Sequence, residues 1–404
     1  MPKVSIVLPT RERPDLLKFA LASALKQDYE DFEIVVSDNY SGSQTRQVVE
    51  SFQSPRVRYF RTKEPLSMPD SWEFALKYAK GEYITFLTDD SYMLPDAISC
   101  AMAYLGTSGK RIAVWSLCTY FSPDWIELER RNVLYISDSS FQPRLLQSAD
   151  SLATLFDLQS AGRVPKLLNC LAHRELVEKA TEVQGRFFLP PAPDYAGAVG
   201  LLQQTEEYIF LDWPLCINGV FPQSIGASQR FSGGKASKDF VAEFKEKNEV
   251  SGLIGPDIHV PAVIIAQTLE TMRKFYPTMA YQINQKRLIS DIINDLVVHE
   301  SNGADVGQEW RTLQVYLKNN PVLSTHMVRR LKIYSRLRLI LKKVRQLPFW
   351  EYFEQLRGIH VYSGDRNGFS NIQECGEVAV ELISKMRKGR TKVLSDRNHK
   401  FPRR

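Results

Sequence analysis

Two adjacent carboxylates, Asp89 and Asp90, end the stretch Gly81-Glu82-Tyr83-Ile84-Thr85-Phe86-Leu87-Thr88-Asp89-Asp90. Tyr83 to Leu87 reads as a buried strand, and Pro95-Asp96 beyond it as the opening turn of a helix. Acids set beside an apolar core are costly unless a cation meets them. An oxygen-only set without His or Cys suits a hard divalent ion, Mg2+ or Mn2+, which in turn grips phosphates. An isolated Asp-Asp pair would more simply cap the next helix or face water in a turn. The stretches upstream weigh against that simpler reading.

Those stretches alternate in a regular way. Val4 to Leu8 is a strand closed by Pro9-Thr10, and Pro14 opens a helix with Leu17, Leu21, Ala24 and Leu25 on one face. Phe32 to Val36 is a second strand ending in Ser37-Asp38-Asn39, followed by a helix from about Ser41 to Phe52. Val57 to Phe60 is a third strand, and Ser67-Met68-Pro69-Asp70 has the spacing of a capping box. Strand-helix alternation predicts an α/β domain, a mainly parallel sheet flanked by helices. In such sheets ligands bind beyond the carboxyl ends of the strands. Thr10, Asp38 and the Asp89-Asp90 pair each sit just past a different strand end, so three polar devices share one rim. No G-x-G-x-x-G and no G-x-x-x-x-G-K-[ST] is present, and Gly233-Gly234-Lys235 lacks the upstream glycine at Gln229. A bound phosphate must therefore be held by a metal.

The bulk properties narrow the class. The 404-residue chain is long enough for two domains, and 44% hydrophobic with 24% charged residues is ordinary for a soluble globular protein. No apolar run approaches the roughly 20 residues of a membrane-spanning helix. Met1-Pro2-Lys3 leads straight into a strand, which leaves no room for a signal peptide. Five scattered cysteines with no C-x-x-C point to reduced thiols in a cytoplasm and away from a zinc site. The net charge of +6 comes from the C-terminal third: Arg329 to Arg345 carries eight Lys/Arg and no acid, and Arg387 to Arg404 carries eight with Asp396 as its one acid.

Val4-Ser5-Ile6-Val7-Leu8-Pro9-Thr10, Ile34-Val35-Val36-Ser37-Asp38-Asn39, Ala79-Lys80-Gly81-Glu82-Tyr83-Ile84 through Asp89-Asp90, and Leu94-Pro95, in this order and spacing, resemble the family-2 glycosyltransferases. The likeness is dense over the first hundred residues or so and continues weakly to about Phe231. It implies a GT-A fold and inverting transfer of a sugar from a nucleotide-diphosphate donor, most often a UDP-sugar. By that resemblance Pro9, Thr10 and Arg11 lie in the nucleotide pocket, Asp38 accepts from the base ring NH, Asp89 sits near the ribose, and Asp90 coordinates the metal. The chain departs from the family in two places. Thr88 and Ser91 flank only two acids where a longer run is common, and Trp72-Glu73 stands where many members carry Arg-Asn.

Further on, Ile112 to Trp115 and Val133 to Ile136 read as strands, and Ser148 to Leu158 as a helix. Phe187-Phe188-Leu189-Pro190-Pro191-Ala192-Pro193-Asp194-Tyr195 brings an acid to a helix start and is similar to the family's acceptor-side motif. Inverting transfer needs one base for the incoming hydroxyl proton. Asp194 is the candidate, against a plain N-cap reading, with Asp212 in reserve. Arg230 or Lys235, in a segment rich in small residues, could neutralise the leaving phosphates.

The expected organisation is a catalytic GT-A domain over 1–232, a linker over 233–256, a mostly helical domain over 257–386 and a disordered basic tail over 387–404. Met327 to Leu347 reads as a basic amphipathic helix with an apolar stripe through Ile333, Leu337, Ile340, Leu341 and Val344. Residues 327–350 thus fit either the surface of an anionic membrane or a helix packed on its own domain. The reading is a metal-dependent glycosyltransferase using Mn2+ or Mg2+ and a nucleotide sugar. Its acceptor is a saccharide or a lipid-linked saccharide, at the cytoplasmic face of the membrane, in surface polysaccharide synthesis. No nucleic-acid motif is present. A non-catalytic nucleotide-sugar-binding scaffold is the alternative.

Overall fold

A computed structural model describes residues 2–159, 161–224, 260–321, 324–343 and 357–400, with Glu243, 253–255 and Ile258. All seven residues of β1 (Val4–Thr10) are buried, as are all seven of β2 (Phe32–Asp38). Strands covered on both faces belong to a parallel sheet sandwiched by helices. β1 pairs in parallel with β2 and, on its other side, with β4 (Tyr83–Phe86), while β3 (Val57–Arg61) pairs in parallel with β2. α1 (Pro14–Leu25), α2 (Ser43–Ser51) and α3 (Met68–Leu76) make the connections. α3 opens on the expected cap: Ser67 Oγ accepts from the Asp70 amide at 3.4 Å and donates to the Asp70 carboxylate at 2.6 Å.

Past Asp90 the sheet becomes mixed. The elements are β5 (Ser91–Met93), α4 (Ala97–Ser108), β6 (Ile112–Phe121), β7 (Val133–Ser137), β8 (Pro143–Gln147), α5 (Ser148–Phe156), β9 (Cys170–His173), α6 (Arg174–Gln184), α7 (Pro193–Gln203) and β10 (Glu207–Val220). β9 runs antiparallel between β4 and β6. β10 lies beside β6 in parallel, broken by register shifts between Leu211 and Cys216, and brings Gly219 against the Asp90 backbone.

The close approach of Gly81 to β1 explains the glycine that opens the stretch. A Cβ there would lie 2.4 Å from the Ser5 amide nitrogen and 2.6 Å from the Val4 carbonyl carbon, both rigid strand backbone. Gly81→Ala is expected to cost about 1–3 kcal/mol, read as a lower denaturant midpoint. An unchanged midpoint would contradict the packing described.

Four helices follow: α8 (Pro261–Phe275), α9 (Gln285–Ser301), α10 (Gly307–Asn319) and α11 (Thr325–Lys343). The sequence suggested that they form a domain of their own. Among the described residues they do not separate: Val263, Leu269, Leu288 and Ile292 share one apolar cluster with Phe86, Phe188 and Leu201. The C-terminal segment is mostly helical, as the sequence suggested, with one strand among the described residues. β11 (Ile359–Ser363) joins the sheet antiparallel to β7, and Ile372, Cys375 and Ala379 of α12 (Ile372–Lys400) pack with Tyr92, Leu94 and Cys118. Helical periodicity shows which face is apolar but not which surface covers it. The tail expected from residue 387 is instead continuous with α12 to Lys400. Apart from Gly389 its residues are compatible with a helix, and the first proline is Pro402.

Candidate active site

The tips of β1, β2 and β4 converge because the strands are parallel neighbours, with Thr10 directly opposite Asp38. Thr10 Oγ1 donates to Asp89 Oδ2 at 2.7 Å. Arg13, immediately before α1, donates to Asp89 Oδ1 at 3.1 Å and to the Gln223 carbonyl at 2.6 Å, and lies 3.7 Å from Asp90 Oδ2. Ser224 Oγ donates to Asp90 Oδ2 at 2.6 Å. Thr88 and Ser91, the residues flanking the short acid run, hydrogen-bond each other at 2.8 Å.

Asp89 and Asp90 are only 5% and 9% exposed, so two neighbouring carboxylates are desolvated with one guanidinium at hand. Burial raises the Asp89 pKa; Arg13 opposes the rise and the Asp90 charge adds to it. Paired with a single arginine, the two acids have a charge of −1 left for a further cation.

In front of the rim lies a cavity of about 1060 Å³. Pro9, Thr10, Arg11, Asp89, Asp90 and Asp194, all singled out in the sequence, line it. Arg11 also faces Glu243 at 3.6 Å. Asp38 is not part of the lining. It is fully buried, its Oδ1 accepting from the Ser41 amide at 2.8 Å and its Oδ2 from the Tyr59 hydroxyl at 2.5 Å, with Arg61 at 3.7 Å. Burial and the Asp38 carboxylate push the Tyr59 phenol well above its usual range, which keeps it a donor. Asp38 therefore shapes the loop after β2, and its neighbour Asn39 reaches the cavity. Asn39 is held by both backbone groups of Leu66, its Nδ2 donating to the carbonyl and its Oδ1 accepting from the amide, each at 2.8 Å.

Asp194 stands on another wall. The N-cap of α7 is Ala192, without a side-chain cap, and Asp194 is the second helical residue. Its Oδ2 is 2.9 Å from Lys166 Nζ, which lies 3.6 Å above the centroid of the Tyr195 ring. α3 holds the approach to this helix. Trp72 packs on Phe86 and Phe188 with centroids 5.8 and 5.2 Å apart, Glu73 accepts from the Phe188 amide, and Asp70 pairs with Arg186 at 2.9 Å. The departure at Trp72-Glu73 thus serves to position the wall that carries Asp194.

Residues 5–160 match the family described as Glycosyl transferase family 2. The chain is thus similar to that family over a little more than a third of its length, in its N-terminal part. Over 105 residues the chain is 39% identical to the GalNAc(5)-diNAcBac-PP-undecaprenol beta-1,3-glucosyltransferase of Campylobacter jejuni subsp. jejuni serotype O:2, across 25% of this chain and 34% of that one. Over 102 residues it is 28% identical to the UDP-Glc:alpha-D-GlcNAc-diphosphoundecaprenol beta-1,3-glucosyltransferase WfgD of Escherichia coli, across 25% of this chain and 40% of that one. The likeness thus spans little more than a third of these relatives. Among solved structures, that of S. aureus TarS has a TM-score of 0.43 at 17% identity, covering 74% of this chain and 49% of TarS.

Several residues singled out in the sequence can now be placed. Asp212, the reserve base, sits at the break in β10 and is not among the residues lining the cavity. It accepts from Ser139 Oγ at 2.8 Å and the Ser140 amide at 3.1 Å and pairs with Arg144 at 3.0 Å. Arg230 and Lys235 lie outside the described residues, as does most of the 233–256 linker.

Asp89 and Asp90 fit a hard cation that keeps the rest of its shell as water and phosphate oxygens. Among the described residues no cluster of three or more His, Cys, Asp or Glu forms a closed protein cage. Arg13, Lys166 and Ser224 are the additions that sequence reasoning missed. Arg13 had a signal, a cation three residues past Thr10 at a helix start; Lys166 had none, because a loop 28 positions before Asp194 reaches it only through the fold.

Proposed function

We propose that the chain moves a sugar from a nucleoside-diphosphate donor, a UDP-sugar, to a hydroxyl of a saccharide or lipid-linked saccharide, with inversion, in surface polysaccharide synthesis. One observation carries this reading: the Thr10, Arg13, Asp89 and Asp90 constellation and Asp194 line one cavity from different sides. The names of the Campylobacter and Escherichia relatives, glucosyltransferases acting on undecaprenyl-diphosphate-linked saccharides, support the substrate class.

Pro9, Thr10, Arg11 and Asn39 receive the nucleotide. Asp90, with Asp89, would hold Mn2+ or Mg2+, which when bound neutralises the charge growing on the diphosphate. Asp194 takes the proton from the acceptor hydroxyl as its oxygen bonds to the anomeric carbon. The bond from that carbon to the donor phosphate oxygen breaks on the opposite face, and the nucleoside diphosphate leaves with the electron pair. Titration calorimetry with UDP tests the reading: uptake strengthened by Mn2+ is expected, and no uptake with either metal overturns it.

The lipid-linked class of acceptor is consistent with the outer face of α11. Ile333 and Leu337 of the expected stripe are 59% and 52% exposed, and Met327 and Tyr334 are exposed beside them. Arg329, Arg330 and Arg336 are exposed around them, while Val328, Leu331 and Ser335 turn inward. No described helix is long and apolar enough to cross a membrane. A surface contact with anionic lipid on the cytoplasmic side suits this face. The protein is expected to sediment with vesicles rich in phosphatidylglycerol. The double variant Ile333→Asp, Leu337→Asp is expected to bind roughly tenfold less; equal binding would refute the contact. Pro348, Phe349 and Trp350, expected to end the helix, lie outside the described residues.

A further inference from the structure

Behind Tyr195 lies a second, smaller cavity of about 210 Å³. It shares Tyr195, Pro261 and Ile265 with the large cleft, so the two spaces have a common wall beginning one residue after Asp194. One side is polar: Asp291, Asn294 and Asp295 occupy positions i, i+3 and i+4 of α9 and face the space together. The rest of the lining is mostly apolar, Leu155, Leu158, Pro261, Ala262 and Ile265, with Gln159 as its one polar member besides Tyr195. Tyr195 has Lys166 over its ring at 3.6 Å.

We propose that this side cavity binds one uncharged sugar ring of the acceptor. The proposal rests on the transferase reading and extends it to the acceptor. A sugar ring offers hydroxyls on its rim and C–H groups on its faces. The carboxylate and amide oxygens of α9 accept from the hydroxyls, and the apolar part of the lining takes a C–H face. The volume falls below the roughly 300–1,000 Å³ of pockets for drug-sized ligands, which limits the occupant to about one ring. Among the described lining residues there are two carboxylates and no Lys, Arg or His. Arg287, 3.2 Å from Asp291, lies outside the lining. A uronate or phosphorylated sugar would bring a like charge into that wall and is disfavoured. A ring seated here would leave its neighbour in the large cleft, which Asp194 lines. The helical region beyond residue 260 therefore selects the acceptor, while the strand tips of the first hundred residues hold the donor.

The test uses the full chain with UDP and Mn2+ present, and saturation-transfer NMR with methyl β-glucoside and methyl β-glucuronide as probes. Saturable binding of the glucoside and at least tenfold weaker binding of the glucuronide are expected. Asn294 is partly exposed on α9. Asn294→Trp fills the space, and Asn294→Asp adds charge at nearly constant shape. Asn294→Trp is expected to weaken the glucoside at least tenfold, and Asn294→Asp to keep the glucoside while weakening the glucuronide further, with UDP affinity by calorimetry within twofold of the parent in both. Glucoside binding unchanged in Asn294→Trp, or no saturable glucoside binding by the parent, overturns the proposal. Failure of UDP uptake is a separate outcome: it removes the transferase reading, while the glucoside result still decides the cavity.

Discussion

Asp194→Asn is expected to keep metal-assisted UDP binding at the parent level and to lose sugar transfer by about 10²–10⁴-fold, the range of a positioned general base. The amide keeps the size of the carboxylate and still offers Lys166 an oxygen at the 2.9 Å contact, so the α7 start stays in place. What it loses is the capacity to take a proton. Asp194 lies on a wall apart from the rim of Asp89 and Asp90, which is why binding and turnover should separate. The assay is single-turnover release of UDP from a UDP-sugar with acceptor present, alongside calorimetry of UDP with Mn2+. Parent-level turnover by the variant would remove Asp194 from the base role. Asp212 could not take its place, because its partners Ser139, Ser140 and Arg144 hold it away from the cavity.

The second large effect is at the rim. Asp90→Ala should weaken Mn2+-dependent UDP binding by about a hundredfold or more, since the metal contributes several kcal/mol where charge develops on phosphate. A chelator added to the parent protein is expected to reproduce most of that loss. The variant also deprives Ser224 of its 2.6 Å acceptor and leaves Asp89 as the one acid beside Arg13. Metal-free UDP binding should therefore change far less than metal-dependent binding. Equal affinity with Mn2+ in the variant and the parent would mean that Asp90 is not a metal ligand.

Most elements of the first hundred residues were readable in order. Alternation of apolar strands with 3.6-period helices is a local property, and so are the Ser67-Asp70 cap and the proline at the start of α1. The convergence of Thr10 with Asp89 followed from topology alone, because parallel strands put their carboxyl ends on one side. Burial is what the sequence does not disclose. Asp38 sits at the correct strand tip, yet Tyr59 on the adjacent strand and the Ser41 amide take up its carboxylate. Strand spacing cannot reveal such partners. The helices beyond residue 260 read correctly as helices, and among the described residues they share an apolar cluster with the sheet.

From its sequence alone the chain determined a parallel sheet, an acid pair at a strand end and a second acid at a helix start more than a hundred residues later. Only the tertiary structure decided that these acids line one cavity, that Arg13 and Ser224 attend the pair, and that Lys166 holds Asp194. It also decided that β11 and α12 return to the sheet that carries the site. The division has a physical cause. Backbone periodicity is written over a few residues, whereas the environment of a charge depends on whatever the rest of the chain packs against it.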